Sequence, residues 1–351
     1  MNIAGRRIAL DLEPYIIAEI GVNHDGSIDK AIALVEAAAN TGADAVKLQF
    51  FSADLLMSRG APLAQYQTHA RERDAFAMLR RLELPIEAMS RIVAHAHAHS
   101  LHAIVTVFST ELVPTAATLP WDAFKTASPD IIHRPLLRAL ADLGRPLIVS
   151  TGAATAQEVA RALIWLSAIQ HRLAILHCMS AYPVAPEHAS LGAIAALGSM
   201  FDGPVGYSDH TTLVETGALA VATGATILEK HLTLDRHALG PDHAASLEPA
   251  PFAQYVAQAR RAHAMLGPVS KQVLPCERDV RAVSRQSIVA ARTIPAGRPI
   301  TRDDLTFKRP GGGLEPWMLE QILGHALTIS LNPGSLIELA HLIESPQRSA
   351  G

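Results

Sequence analysis

The chain has 351 residues, 49% of them hydrophobic and only 18% charged, with a formal net charge of -3. An apolar share this large excludes disorder as the dominant state, and a balance this mild supplies no long-range field for phosphate backbones or anionic lipid, so neither nucleic acid nor a membrane is an expected partner. Two distant cysteines, Cys178 and Cys276, write no disulfide framework, the opening MNIAGRRIALDLEP lacks a signal-length apolar run, and no stretch is long enough to span a bilayer, which together predict a soluble, cytoplasmic protein.

From residue 15 to about residue 266, short apolar runs alternate with longer, Ala-rich amphipathic stretches. The runs read as strands over residues 15–21, 45–51, 102–109, 123–128, 146–152, 172–180, 204–210 and 226–234. Helical patterns fall between them, among them 27–41, 85–100, 155–170 and 213–223, several with start signals such as Ser27 ahead of Asp29. Strands this apolar, separated by helices, imply a parallel sheet covered on its outer face. Eight such units in about 250 residues is the arithmetic of an α/β fold of the (β/α)8 TIM barrel type. A doubly wound open sheet is the rival, but no strand is followed by G-x-G-x-x-G. Beyond Arg285 the texture changes to short runs, SIVAA, PITRDDLTF, ALTIS and LIELA, separated by turn signals such as Asn332-Pro333-Gly334. The expected division is a barrel over 1–266, a linker over 267–284 and a small, mostly β domain over 285–351. So small a domain is expected to lean on a partner surface.

In a parallel barrel the active site lies at the C-terminal ends of the strands. The polar residues there are Glu19, with Asn23 and His24 beyond it; Lys47 and Gln49; Thr106 and Ser109; Lys125 and Ser128; Ser150 and Thr151; Ser180 and Tyr182; Ser208, Asp209 and His210; Glu229 and His231. A single Ser or Thr at a strand end is an ordinary turn former. Lysine is a stronger signal, since only six of the 30 basic residues are lysines and two of them, Lys47 and Lys125, sit inside apolar strand runs. A buried ammonium is costly unless paired, so an anionic partner is expected, in a phosphate or carboxylate cradle built with the neighbouring hydroxyls. His210 and His231 end adjacent strands, where two neutral imidazoles suit a divalent transition metal or serve as hydrogen-bonded core groups. Lys230, of opposite parity to Glu229 and His231, should face the helix layer. His95 and His99 share a helix face at i, i+4, but without the Glu of H-E-x-x-H they read as a solvated face.

Six strings, AEIGVNHDG (18–26), GADAVKLQ (42–49), GYSDHT (206–211), EKHLTLDR (229–236), GPDHAASLEP (240–249) and IPAGRPITRDDLTFKRPG (294–311), together resemble the sialic acid synthase family over about residues 15 to 342, and the C-terminal part resembles that family's antifreeze-like (SAF) domain. The resemblance implies condensation of phosphoenolpyruvate with the open-chain aldehyde of an N-acetylated hexosamine, releasing phosphate by C–O cleavage. It implies that Lys47, Thr106, Lys125, Ser128, Ser150 and Ser208 hold phosphoenolpyruvate, and that His210 and His231 ligate a divalent ion, Mn2+ or alternatively Mg2+ or Co2+, with Gln49 close by. Tyr182, Glu229 and Asp242 match positions that contact the sugar hydroxyls, and Ser180 lies in the same region. Glu19, Glu229 and His231 are the implied catalytic set. Arg309 resembles an arginine that reaches the N-acetyl group from a partner subunit, which implies a domain-swapped homodimer. The chain departs from the family pattern at Val107, Met179 and Ser180. The acceptor implied is N-acetylmannosamine, giving N-acetylneuraminate, with 2,4-diacetamido-2,4,6-trideoxymannose, giving N,N'-diacetyllegionaminate, as the alternative. A non-catalytic carbohydrate- or ice-binding surface has no use for Lys47, Lys125, His210 and His231 at strand ends, and a metal-dependent aldolase or sugar isomerase needs no phosphoenolpyruvate cradle.

Overall fold

The structure, a computed structural model, describes residues 1–58, 61–62 and 74–343. Eight parallel strands form a closed barrel: β1 (Tyr15–Glu19), β2 (Ala45–Phe50), β3 (His102–Val107), β4 (Ala123–Thr126), β5 (Leu147–Ser150), β6 (Leu173–Cys178), β7 (Val205–Asp209) and β8 (Ile227–His231), with β8 pairing back onto β1. Each predicted run holds one strand, shorter by a residue or more at its ends. The principal helices of this unit are α1 (Ile28–Thr41), α2 (Ala75–Leu82), α3 (Ile86–Ala98), α4 (Arg134–Asp142), α5 (Ala156–Trp165), α6 (Gly192–Gly198), α7 (Thr216–Ala222) and α8 (Pro249–Leu266). Among the described residues, no helix is long and apolar enough to cross a membrane.

Local chemistry sets the helix ends. The Ser27 side chain accepts from the Lys30 amide at the start of α1, and Gly42 closes that helix at φ 81°. Thr155 and Glu158 form a reciprocal capping box at α5. The buried positions of α1, Ala31, Leu34, Val35 and Ala38, lie on one face of a 3.6-residue period.

Strand parity then divides the core into two layers. Ile16, Ala18, Val46 and Leu48 face the helices, while Ile17, Ala45, Ile104 and Ile148 face the barrel axis and form an apolar floor. A two-residue antiparallel ribbon, Asn2–Ile3 with Arg6–Arg7, which the periodicity did not predict, precedes the barrel and adds Ile3 and Ile8 to the floor.

The chain divides between Pro268 and Val269 into two compact units. In the second, the segment read as a linker carries a helix, α9 (Arg278–Ser284). Strands β9 (Ser287–Ala290) and β10 (Leu305–Lys308) pair antiparallel, and isolated bridges such as Ile294 with Leu331 complete the β texture. This unit has its own apolar core, including Ile288, Ile300, Leu305, Leu327 and Ile337. Buried Asp304 accepts from the Thr301 amide, the Thr301 hydroxyl, Arg292 and Arg298, and these donors hold its carboxyl well below the usual range despite burial. Residues 344–351 of the expected C-terminal domain lie outside the described residues.

Candidate active site

The barrel register carries polar groups round the mouth. Glu19 stands beside Lys47, Gln49 beside Thr106, Thr106 beside Lys125, Cys178 beside Ser208, Ser208 beside Glu229, and His231 beside Glu19. All point to the axis because they share the inward parity of their strands. The resulting cavity, of about 440 Å³, is lined by all fourteen barrel residues expected from the sequence: Glu19, Lys47, Gln49, Thr106, Lys125, Ser128, Ser150, Ser180, Tyr182, Ser208, His210, Glu229, His231 and Asp242. Arg309 is not among them; it is an exposed residue of the second unit, directly after β10.

Two lysines and two glutamates occupy the centre. Lys47 forms an ion pair with Glu19, donates to the Thr106 hydroxyl at 2.8 Å and lies 4.0 Å from Glu229. Lys125 donates to the Ser150 hydroxyl at 2.7 Å and lies 3.3 Å from Glu229, which also accepts from the Ser208 hydroxyl at 2.8 Å. Carboxylates of the protein already pair with both lysines, an arrangement the sequence reading did not foresee. All four are buried. Burial lifts the Glu19 carboxyl above its ordinary range, an effect that Lys47 offsets only in part. Burial acts on Glu229 in the same sense but is outweighed by Lys125 and then Lys47, so Glu229 is held low and ionised. Burial pushes the Lys125 ammonium down; for Lys47 the opposing pull of Glu19 and Glu229 wins and raises it.

The imidazoles form the second group. His210 and His231 have ring centroids 5.2 Å apart, and Tyr182 stacks on His210 at 4.0 Å and meets His231 edge-on. His210 Nδ1 lies 2.8 Å from the Met179 carbonyl, which fixes this nitrogen as the donor and leaves Nε2 with its lone pair. His231 is held far below the usual histidine range, first by burial and then by His210 and Lys47, so it is a neutral ring. Its buried Nδ1 has no hydrogen-bond partner among the described residues, and Asp242 Oδ2 stands 3.6 Å away. Burial, then Glu19, lifts the Asp242 carboxyl to about 7. At His210 burial is outweighed by Cys178 and the Met179 carbonyl, which raise it above the usual histidine range. Two imidazoles beside one carboxyl suit a divalent transition ion.

Other strand-end residues serve the scaffold. Asn23 donates to the Leu232 carbonyl and the Ser246 hydroxyl, Thr151 to the Leu176 carbonyl, and His24 accepts from the Gly26 amide. Lys230 faces the helix layer as expected, paired with Asp209 at 3.0 Å under the Tyr255 ring. Two glycines keep the mouth open. A Cβ on Gly152 would collide with the Ser128 and Ser180 hydroxyls and with Cys178, and one on Gly21 with Glu19 and Gln49.

Sequence reasoning missed Cys178, Asp130 and an apolar bank of Leu56, Met57, Leu79 and Phe108, all lining the cavity. The parity that singled out Lys47 also turns Cys178 inward, where its sulfur lies 3.8 Å from His210 Nδ1, but a thiol at the end of an apolar run reads as core. The bank comes from a short helix over Ala53–Leu56, from loops and from α2, which no strand periodicity reports.

Residues 34–271 match the model of the NeuB family, and residues 285–343 match that of the SAF domain. The N,N'-diacetyllegionaminic acid synthase of Legionella pneumophila is 35% identical over 93% of this chain and 94% of its own. The N-acetylneuraminate-9-phosphate synthase of Mus musculus is 34% identical over 84% of this chain and 82% of its own. The crystal structure of the N-acetylneuraminic acid (sialic acid) synthetase of Leptospira borgpetersenii matches with a TM-score of 0.73 and 29% identity, covering 80% of this chain and 94% of that one.

Proposed function

This chain belongs to the NeuB family, and from that footing we propose that it condenses phosphoenolpyruvate with the open-chain aldehyde of N-acetylmannosamine, giving N-acetylneuraminate and phosphate. The observation that carries the reading is the buried Lys47–Glu19–Glu229–Lys125 cluster with hydroxyls from three further strands at hydrogen-bond distance, all at one barrel mouth.

In this scheme Lys47, Lys125 and the hydroxyls of Thr106, Ser128, Ser150 and Ser208 hold the carboxylate and phosphate of phosphoenolpyruvate. Burial lowers the Lys125 ammonium, and an arriving dianion favours its charged form. Tyr182, Ser180, Asp242 and Glu229 orient the sugar chain. C3 of the enol then bonds to the aldehyde carbon, whose oxygen takes up a proton from solvent. Water adds at the cation-like C2, and its proton passes to Glu19, a carboxylate whose burial-raised pKa makes it the better base. The C2–O bond to phosphate breaks last, as the C2 hydroxyl passes its proton to the departing phosphate and becomes the ketone, and the lysines stabilise the charge on the leaving group. His210 and His231, with Gln49 close by, would hold the divalent ion, Mn2+ in this reading, and that ion, when bound, polarises the aldehyde oxygen as a Lewis acid. Arg309 of a second copy would reach the N-acetyl group, which makes a homodimer the working unit.

A second acceptor, 2,4-diacetamido-2,4,6-trideoxymannose giving N,N'-diacetyllegionaminate, is supported by the likeness to the Legionella pneumophila enzyme and equally by a 36% identical synthase of the same name from Campylobacter jejuni. The deciding experiment offers each sugar with phosphoenolpyruvate and Mn2+, before and after chelation, and follows phosphate release. Release with N-acetylmannosamine that stops on chelation is the expected result. Release with the trideoxy sugar alone transfers the assignment to the second acceptor, and release with neither removes both.

A further inference from the structure

The helix face His95-Ala-His97-Ala-His99 read as a solvated surface in the sequence, and the fold gives it a neighbour that the sequence did not show. Helix α1 packs beside α3 and brings Glu36 against the two histidines. Glu36 Oε1 lies 3.2 Å from His95 Nε2, the His95 and His99 rings are 4.4 Å apart between centroids, and one ligand atom from each of the three side chains falls within 4.8 Å of the others. His97 is turned elsewhere, to Asp122 at 2.9 Å.

We propose that Glu36, His95 and His99 form a Zn2+ site on the outer face of the barrel, clipping α1 to α3 and independent of the mouth. Three features carry it. The donor set, two imidazoles and one carboxylate, selects a borderline transition ion over Mg2+ or Ca2+. The 3.2 Å between Glu36 Oε1 and His95 Nε2 is the edge expected of a zinc tetrahedron, since bonds of about 2.0–2.2 Å at tetrahedral angles put neighbouring ligand atoms about 3.3 Å apart. His99 Nδ1 lies 3.0 Å from the His95 carbonyl, so this nitrogen carries the proton and Nε2 keeps the lone pair, which is how a supporting hydrogen bond prepares a metal ligand. His99 and Glu36 are exposed and His95 half-buried, so the rings can close the remaining distance at little cost and water can take the fourth position.

The ion binds only where α1 and α3 are packed, so it stabilises the folded chain. The test is a difference, which keeps it separate from whatever the mouth binds. Full-length chain, stripped of metal, is dialysed against micromolar Zn2+ and its bound zinc counted, for wild type, the His95→Ala/His99→Ala double variant and Glu36→Gln. The double variant should hold one equivalent less than wild type, lose the zinc-dependent rise in melting temperature, and lose the intense visible absorption that tetrahedral Co2+ gives. Glu36→Gln should weaken the same equivalent tenfold or more. Equal zinc counts in wild type and the double variant overturn the site, and an undiminished affinity in Glu36→Gln overturns the three-ligand assignment. Phosphoenolpyruvate turnover with Mn2+ should be the same in all three proteins, whichever acceptor sugar proves correct.

Discussion

The same eight strands build an apolar floor and a charged mouth, one pleat apart. At the floor the inward positions are Ile17, Ala45, Ile104, Ala123, Ile148 and Ile227. Two residues further along the same strands they are Glu19, Lys47, Thr106, Lys125, Ser150 and Glu229, about 6.6 Å away at the usual strand rise. Both layers are buried, yet among the described residues the mouth, unlike the floor, leaves polar atoms without hydrogen-bond partners, such as Glu229 Oε2 and His231 Nδ1. A layer selected for stability alone would have continued the floor. The contrast separates residues that hold the barrel closed from residues kept at a cost for what they bind.

The sharpest way to break the contrast is at Lys125. Lys125→Met should lower kcat/KM by about 10²–10³-fold, the usual loss when one preorganised charge donor is removed. A variant within tenfold of wild type would detach the mouth lysines from the chemistry. The mirror experiment is at the floor, where Ile148→Ala should cost about 2–5 kcal/mol in urea unfolding and leave kcat unchanged. A fall in kcat without loss of stability would show that the two layers are not separable. Arg309→Ala tests whether the mouth is completed from outside its own barrel. Losing a charge-assisted hydrogen bond of about 1.5–3 kcal/mol should raise KM for the sugar tenfold or more with kcat little changed, and an unmoved KM argues against that contact. The smallest effect concerns Asp130, a mouth residue whose carboxyl burial lifts to about 6. A folded value above the ordinary 3.8 means that the folded state holds its proton longer, so stability falls as pH rises from about 4 to about 6 and stays lower above that. Asp130→Asn should flatten this part of the stability profile, and an unaltered profile would assign the slope to other groups.

The barrel was legible because each strand combines an apolar run with polar ends, and parity carries a side chain's direction without knowledge of its neighbours. The same parity found the inward residues of the strands, Lys47, Gln49, Glu229 and His231 among them. The strand ends pointed to neighbours such as Ser128 and His210, and Asp242 came only from the family resemblance. Parity did not find that Glu19 and Glu229 neutralise Lys47 and Lys125, because cross-strand partners depend on the stagger of a closed barrel and not on any one strand. Glu36 was hidden for a related reason: 59 residues separate it from His95, and only the packing of two helices joins them. The N-terminal ribbon and α9 are short elements set by tertiary contact, where local propensity says little.

The N-terminal segment packs Ile3 and Ile8 against the floor, so removing it would expose apolar groups such as Ile17 and Ile227 to water and lower stability without taking away any residue of the mouth.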